Sequence, residues 1–115
     1  MTVFLFSAPR QVAEWSPAVD IYRTVNGWIL KFDLAGVRLE DVHVHFGKRC
    51  VKLSGVRRDS MLEDFCTHYS MEITYSRFER TVDLPEDLDA VKSRLEYQDG
   101  ILLVRITRRE EKTNE

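Results

Sequence analysis

Histidine and cysteine are the side chains of this sequence that could hold a metal or carry out covalent chemistry. His43 and His45 lie two residues apart and therefore share one face of an extended strand. With Cys50, Cys66 and His68 they supply ligand types that zinc prefers, but their spacing matches no structural zinc motif. No motif supports a phosphate loop, a hydrolytic carboxylate pair or a Ser/His/Asp arrangement. We expect a protein that is not an enzyme and that needs no cofactor and no metal.

Arg80 is a charged residue within an apolar alternation. It has the same parity as Phe78, Val82 and Leu84, so on a strand it points toward an apolar face. A buried guanidinium needs a carboxylate or carbonyl partner, which the sequence does not identify. The alternative is an edge-strand arginine whose charged head reaches water.

The elements that position these groups are strands, and the strongest signal is the hairpin at Asp99-Gly100. This dipeptide suits a type I′ turn, in which both central residues need positive φ. Alternation before the turn predicts a half-buried strand, and the apolar run after it could be buried on both faces. Because we find no convincing amphipathic helix, we expect a second sheet to cover this hairpin.

Further alternating segments precede this hairpin. They begin at Ala18, with a turn signal at Asn26-Gly27 and a loop at 35–41 that could form one helical turn. Strand patterns follow at Val42–Phe46, Cys50–Ser54 and Phe78–Leu84. About seven or eight short strands at this spacing predict an all-β fold, an antiparallel immunoglobulin-like β-sandwich.

The segment Val56–Ser76 interrupts this alternation. A loop of this length inside a compact domain is unusual and often functional. It contains scattered apolar residues, and we expect a short strand at about Asp64–Tyr69. The alternative is a flexible surface loop.

Length and composition favour one soluble domain. The chain has 115 residues, of which 43% are hydrophobic and 31% charged, with a net charge of −2. The mixed charges argue against a nucleic-acid partner, and no apolar run is long enough to span a membrane. The start of the chain lacks a signal-peptide pattern, and two cysteines suit a reducing compartment, so we expect a cytoplasmic protein.

Four stretches, in order, carry a resemblance to one family. They are Trp15–Tyr22, Asp33–Val37 (similar to Asp-Leu-Pro-Gly-Val), Phe78–Pro85 (Phe-x-Arg-x-x-x-Leu-Pro) and Leu95–Leu102 (Ala-x-x-x-Asn-Gly-Val-Leu). The chain resembles the small heat-shock proteins, the α-crystallin-domain chaperones, of bacterial type. The resemblance implies an arm at 1–14, an α-crystallin domain at 15–107 and a charged tail at 108–115.

This resemblance implies an ATP-independent holdase chaperone that binds partly unfolded client proteins and limits their aggregation under stress. Its client groove would lie between the strand Val42–Phe46 and the strand Ser93–Tyr97 and would be lined by Val42, Val44, Leu95 and Tyr97. The alternative is that these residues simply fill the core. A second apolar candidate is the N-terminal segment, which could occupy the groove or stay disordered; its residues are Val3, Phe4, Leu5 and Phe6.

The resemblance also implies a homodimer formed by strand exchange. The long loop would lend a strand to the partner's sheet, with an interface made by Asp64, Phe65, Cys66, Tyr69 and Arg80. Residues 107–115 contain no Ile-x-Ile segment of the type that builds large oligomers in the family, so we expect only weak higher assembly. The alternative function is a co-chaperone or adaptor sandwich, usually monomeric, that docks on a folded protein.

Overall fold

The computed structural model describes residues 15–59 and 63–109, and those residues form seven strands and one 3₁₀ turn at Leu39–Asp41. The turn lies where one helical turn was expected. The strands are β1 (Val19–Thr24), β2 (Gly27–Asp33), β3 (Val42–Phe46), β4 (Cys50–Val56), β5 (Arg77–Asp83), β6 (Val91–Gln98) and β7 (Ile101–Arg108).

Two antiparallel sheets form the sandwich. One has four strands in the order β1-β2-β7-β6, and the other has three in the order β3-β4-β5. The all-β antiparallel sandwich predicted from the alternation is therefore confirmed. The sheets differ by one strand, and this difference determines which apolar residues are left uncovered.

The core lies between the two sheets because alternate residues of each strand point inward. In the four-stranded sheet Leu30 pairs with Val104 and Phe32 pairs with Leu102, and all four are fully buried. The other sheet contributes several buried residues, among them Val51, Leu53, Phe78 and Val82. Burial of each such side chain contributes about 1.5–3 kcal/mol to the hydrophobic driving force.

The β6–β7 hairpin turns at Asp99-Gly100, as predicted. Both residues have positive φ, 54° at Asp99 and 80° at Gly100, as a type I′ turn requires. The amide of Leu34 donates to the carbonyl of Gly100 at 2.7 Å, so the turn is also tied to the end of β2.

The turn expected at Asn26-Gly27 is displaced by one residue. Val25 and Asn26 form the turn, and Gly27 is already the first residue of β2, paired with Thr107. Its φ is not positive, so the turn does not require glycine there. A Cβ atom at this position would lie 1.8 Å from the carbonyl oxygen of Ile106, so the close approach of β7 accounts for the glycine.

Two further expectations were wrong in detail. β7 is buried on one face only, because Ile101 and Leu103 on its other face are partly exposed. The expected strand at 64–69 is absent from the single chain, where the described residues 63–76 contain no strand. Phe65 has a φ of 65°, which breaks the extended conformation that a strand needs.

Candidate functional site

One row of residues across the four-stranded sheet shows where the sandwich is open. Ile21, Leu30, Val104 and Leu95 lie side by side on its inner face. Leu30 and Val104 are 0% exposed, whereas Ile21 is 46% and Leu95 is 47% exposed. The inner face is therefore covered at its centre and open along both edge strands.

The β6 edge forms one wall of a candidate groove. Leu95 has the parity of a core residue, yet almost half of its surface is accessible because the opposite sheet has only three strands. Ser93, also on the inner face and opposite the buried Ile106, is exposed as well. An uncovered inner face beside a free strand edge can accept both apolar side chains and backbone hydrogen bonds from a peptide.

The edge strand of the three-stranded sheet, β3, carries the other predicted groove residues. Val42 and Val44 point inward and pack against the core, and both remain partly exposed. Phe46 follows on the same face, opposite Val51, and is 40% exposed. Phe46 was not among the predicted groove residues, although it has the same parity as Val42 and Val44.

Tyr97 anchors the groove at the hairpin end of β6. Its ring packs against the core, and its hydroxyl lies 2.5 Å from the carbonyl oxygen of Val37 and 3.0 Å from that of Leu34. The hydroxyl donates to these carbonyls of the β2–β3 connection. Burial raises the pKa of Tyr97 above its usual value, so the side chain stays neutral and keeps its donor.

The four predicted groove residues thus lie on two edge strands, β3 and β6, on the inward side of each. Val42, Val44 and Tyr97 also contact the core, as the alternative interpretation required. Leu95 differs because it is exposed, and it is the clearest candidate for contact with another molecule. The predicted segment Val3–Phe6 lies outside the described residues.

The opposite edge of the same sheet, β1, is the candidate dimer edge. No strand pairs with the outer side of β1 among the described residues, and Ile21 leaves apolar surface exposed there. An open edge of this kind offers unpaired backbone groups to another chain.

Arg57 fastens the long loop between β4 and β5 to the sandwich. Its guanidinium lies 3.8 Å from the centre of the Trp15 ring, and it donates to the carbonyls of Thr74 at 2.9 Å and Ala35 at 3.2 Å. Its backbone amide donates to Ser76 at 2.9 Å. One side chain therefore joins the start of the domain, both ends of the loop and the β2–β3 connection.

The tip of this loop is apolar and exposed. Phe65 and Tyr69 are fully accessible, and Asp64 is exposed beside them. Cys66 is a free, exposed thiol that donates to the carbonyl of Glu63 at 2.8 Å. The predicted dimer residues of the loop are thus available on the surface. Arg80, the fifth predicted dimer residue, lies on β5 and is partly buried.

Arg80 lies on the inner face of β5 and is partly buried. It donates to the carbonyl oxygen of Pro17 at 3.2 Å, a residue 63 positions earlier in the chain. This contact supplies the carbonyl partner that the sequence analysis required and joins β5 to the segment before β1. Within the single chain, Arg80 therefore acts on the sandwich itself.

The candidate metal ligands are dispersed. His43 and His45 are exposed on the outer side of β3, and the imidazole of His68 lies 3.9 Å from a carboxylate oxygen of Asp59. Within 15–59 and 63–109, no three histidine, cysteine or acidic side chains converge on a point where they could hold a metal. No helix in these ranges is long and apolar enough to cross a membrane.

The strand order, the open edges and the loop between β4 and β5 can be compared with known proteins. Residues 20–115 match the Hsp20/alpha crystallin family. The chain belongs to this family. The sequence resemblance is therefore confirmed over most of the chain, including the residues that build both edges of the sandwich.

Individual relatives agree with this assignment. Spore protein SP21 of Stigmatella aurantiaca is 30% identical over 95 residues, and small heat shock protein C2 of Rickettsia felis is 27% identical over 97. Each match covers 83% of this chain, which spans 56% of the first relative and 62% of the second. A solved small heat-shock protein from Xylella fastidiosa has a TM-score of 0.69 at 26% identity, covering 90% of this chain and 94% of that one.

Proposed function

We propose that this protein is an ATP-independent holdase chaperone that binds partly unfolded proteins and limits their aggregation under stress. The single observation that carries the proposal is the exposure of Leu95 on the inner face of an edge strand. Family membership supports a chaperone role, and the exposed Leu95 on an edge strand gives client binding a physical basis.

Client binding in this proposal uses edge pairing and apolar contact together. An extended client segment pairs with the free edge of β6 or β3 and places alternate side chains against Leu95, Val42 and Val44. No bond is made or broken, so neither a nucleotide nor a catalytic group is required. Affinity for any one segment is modest, which suits a protein that must release its client.

The proposed dimer forms by strand exchange. The exposed loop tip reaches the open edge of the partner's β1, where Phe65 and Tyr69 cover apolar surface such as Ile21. Pairing requires Phe65 to leave its positive φ and become extended. Because Arg57 holds both ends of the loop on the sandwich, only the tip needs to change conformation.

Four further predictions belong to this proposal. The chain divides into an arm (1–14), a domain (15–107) and a tail (108–115), and Val3–Phe6 of the arm provides a second apolar contact site. The free thiols of Cys50 and Cys66 support a cytoplasmic location. Assembly beyond the dimer is weak, although the Xylella fastidiosa relative is described as having a distinct high order structure.

The holdase proposal is tested with a heat-labile model client and no nucleotide. We expect less light scattering from the client when the protein is present, and a smaller reduction with Leu95→Ser. Val25→Ser is the matched control, because Val25 is a fully exposed apolar residue in the β1–β2 turn. A requirement for ATP, or equal loss in both variants, contradicts the proposal.

The dimer proposal is tested by mass measurement on size exclusion with light scattering. We expect a dimer for the full chain and a monomer for a variant that lacks residues 59–69. A monomeric full chain favours the alternative, a co-chaperone or adaptor sandwich that docks on a folded partner. In that case the protein still binds one folded protein but leaves client scattering unchanged.

A further inference from the structure

The outer face of the four-stranded sheet has no second sheet against it among the described residues, and its charges are segregated. The end near the β6–β7 turn carries one basic residue, Lys31, and four acidic residues, which are Asp20, Asp33, Glu96 and Asp99. At the other end lie Lys92, Arg94 and Arg105. The face is therefore negative at one end of the strands and positive at the other.

An apolar diagonal crosses the face, and Glu96 lies on the same side of it as Arg94 and Arg105. Tyr22 on β1 pairs with Ile29 on β2, and Leu103 on β7 lies diagonally from Ile29. Ile101 lies on the same face of β7, two residues closer to the β6–β7 turn. Tyr22 is 45% exposed and the other three are partly exposed. Each of these residues is on the opposite side of the sheet from the core.

Ion pairs within the face reduce the charge separation but do not remove it. Arg105 pairs with Glu96, and Arg94 lies 3.5 Å from the same carboxylate. Lys31 lies 3.9 Å from Asp20. Beyond these pairs, Asp33 and Asp99 remain at the acidic end and Lys92 remains at the basic end, so each end keeps its sign.

We propose that this outer face binds the same face of a second copy of the chain. A two-fold axis in the plane of contact and perpendicular to the strands places the acidic end of one copy over the basic end of the other. An axis parallel to the strands places like charges together and is disfavoured. Charge complementarity thus favours one orientation of the second copy relative to the first.

The size of the face makes this contact weak. Strands about 4.8 Å apart that rise about 3.3 Å per residue give four strands of about seven residues a face of roughly 450 Å². Two such faces bury roughly 900 Å², which is below the 1,200–2,000 Å² typical of stable interfaces. The contact therefore links units that already exist, and it is separate from strand exchange, which uses the edge of β1.

Two charge-altered variants test the orientation directly. In the first, Lys92→Glu with Arg94→Glu makes the basic end acidic. In the second, Asp20→Lys, Gln98→Lys and Asp99→Asn make the acidic end basic while keeping a residue that suits the turn. Each set changes the charge by four units, in opposite directions.

Sedimentation equilibrium over a range of concentrations provides the readout. We expect the average mass of the unaltered chain to rise with concentration, and the apparent dissociation constant to increase at least about tenfold in either variant alone. An equal mixture of the two variants regains the association, because every facing pair of ends is again opposite in sign. Raising salt to about 0.5 M weakens the association of the unaltered chain.

A control variant separates the face from net charge. Arg38→Glu with Lys48→Glu makes the same charge change as the first variant but lies outside the four-stranded sheet, and it should associate like the unaltered chain. Unchanged association of either outer-face variant, or a mixture that fails to associate, overturns the proposal. Client scattering distinguishes this result from failure of the holdase, since the groove is intact in both outer-face variants.

Discussion

Leu30 and Leu95 flank the same residue, Val104, on the same face of the same sheet. Leu30 is completely buried, whereas Leu95 has 47% of its surface exposed. Residue type and strand parity are identical, so neither explains the difference. The number of strands in the opposite sheet does, because three strands cover only the centre of four. Buried apolar surface is therefore concentrated at the centre, and the edges keep the exposed apolar surface to which we assign client binding.

Truncation of each leucine in turn is the strongest test of this difference in burial. We expect Leu30→Ala to lower the free energy of unfolding by about 3 kcal/mol, through lost burial and the cavity left behind. Leu95→Ala should cost less than about 1 kcal/mol, because its side chain is already half in water. Urea denaturation of the two variants measures the difference, and equal losses would show that the β6 edge is covered in solution.

A smaller effect is expected from Gly27→Ala, at the contact between the two central strands. The added methyl group meets the backbone carbonyl of Ile106, which cannot rotate away, so β2 and β7 must separate. We expect a loss of about 2 kcal/mol in the same denaturation assay. Asn26→Ala, one residue earlier, is the control and should be nearly neutral. A large loss there instead would mean that the turn depends on Asn26.

Tyr97→Phe tests whether the edge is held by a specific hydrogen bond. The change removes the donor shared by the carbonyls of Leu34 and Val37 while keeping the ring. We expect a loss of about 1 kcal/mol in unfolding free energy and little change in groove shape. Tyr22→Phe, whose ring lies on the outer face of β1, is the matched control. Indistinguishable variants would assign Tyr97 to packing alone.

The smallest effect is electrostatic and appears on acidification. Hydrogen bonding to Arg105 lowers the pKa of Glu96, and hydrogen bonding to Arg108 lowers that of Glu86. A carboxylate with a lowered pKa stabilises the fold above its unfolded value, near 4.5, and loses that contribution as pH falls through the folded value. The urea concentration at the unfolding midpoint should therefore decrease as the pH is lowered below about 4.5.

Glu96→Gln should flatten this acid dependence, since the amide cannot lose a charge. Glu72→Gln removes an equivalent carboxylate from the exposed loop and serves as the control. Equal slopes in both variants would place the acid sensitivity elsewhere in the molecule. Glu96 lies on β6 and its partner Arg105 on β7, so the measurement reports on the attachment of the edge strand to the centre of the sheet.

Local patterns predicted what depends on local geometry. The positive φ angles of Asp99 and Gly100 follow from the residue types. The apolar run of β7 did not show that only one of its faces is buried, because that depends on what covers the sheet. The reason for Gly27 could not be read locally, because the constraint is the carbonyl of Ile106 on another strand. The same holds for Arg80, whose partner Pro17 is far away in the chain.

The candidate groove was predicted only in part for the same reason. The family resemblance assigned Val42, Val44, Leu95 and Tyr97 to the groove, and their alternation fitted core positions equally well, because parity alone cannot distinguish a core residue from an uncovered one. That distinction depends on how many strands stand opposite, which is a property of the assembled sheets. Phe46 was missed because its exposure arises from the same mismatch.

The pairing of β2 with β7 has a consequence for how the protein is made. Leu30 is synthesised well before its neighbour Val104, because β2 is the second and β7 the last of the seven described strands. Until β7 has been synthesised, β2 can pair with β1 on one side but has no partner on the other side. We therefore expect the domain to fold after synthesis of β7, as slow formation of distant strand pairs requires. Until then the nascent chain presents the same kind of apolar segment that the finished protein is proposed to bind.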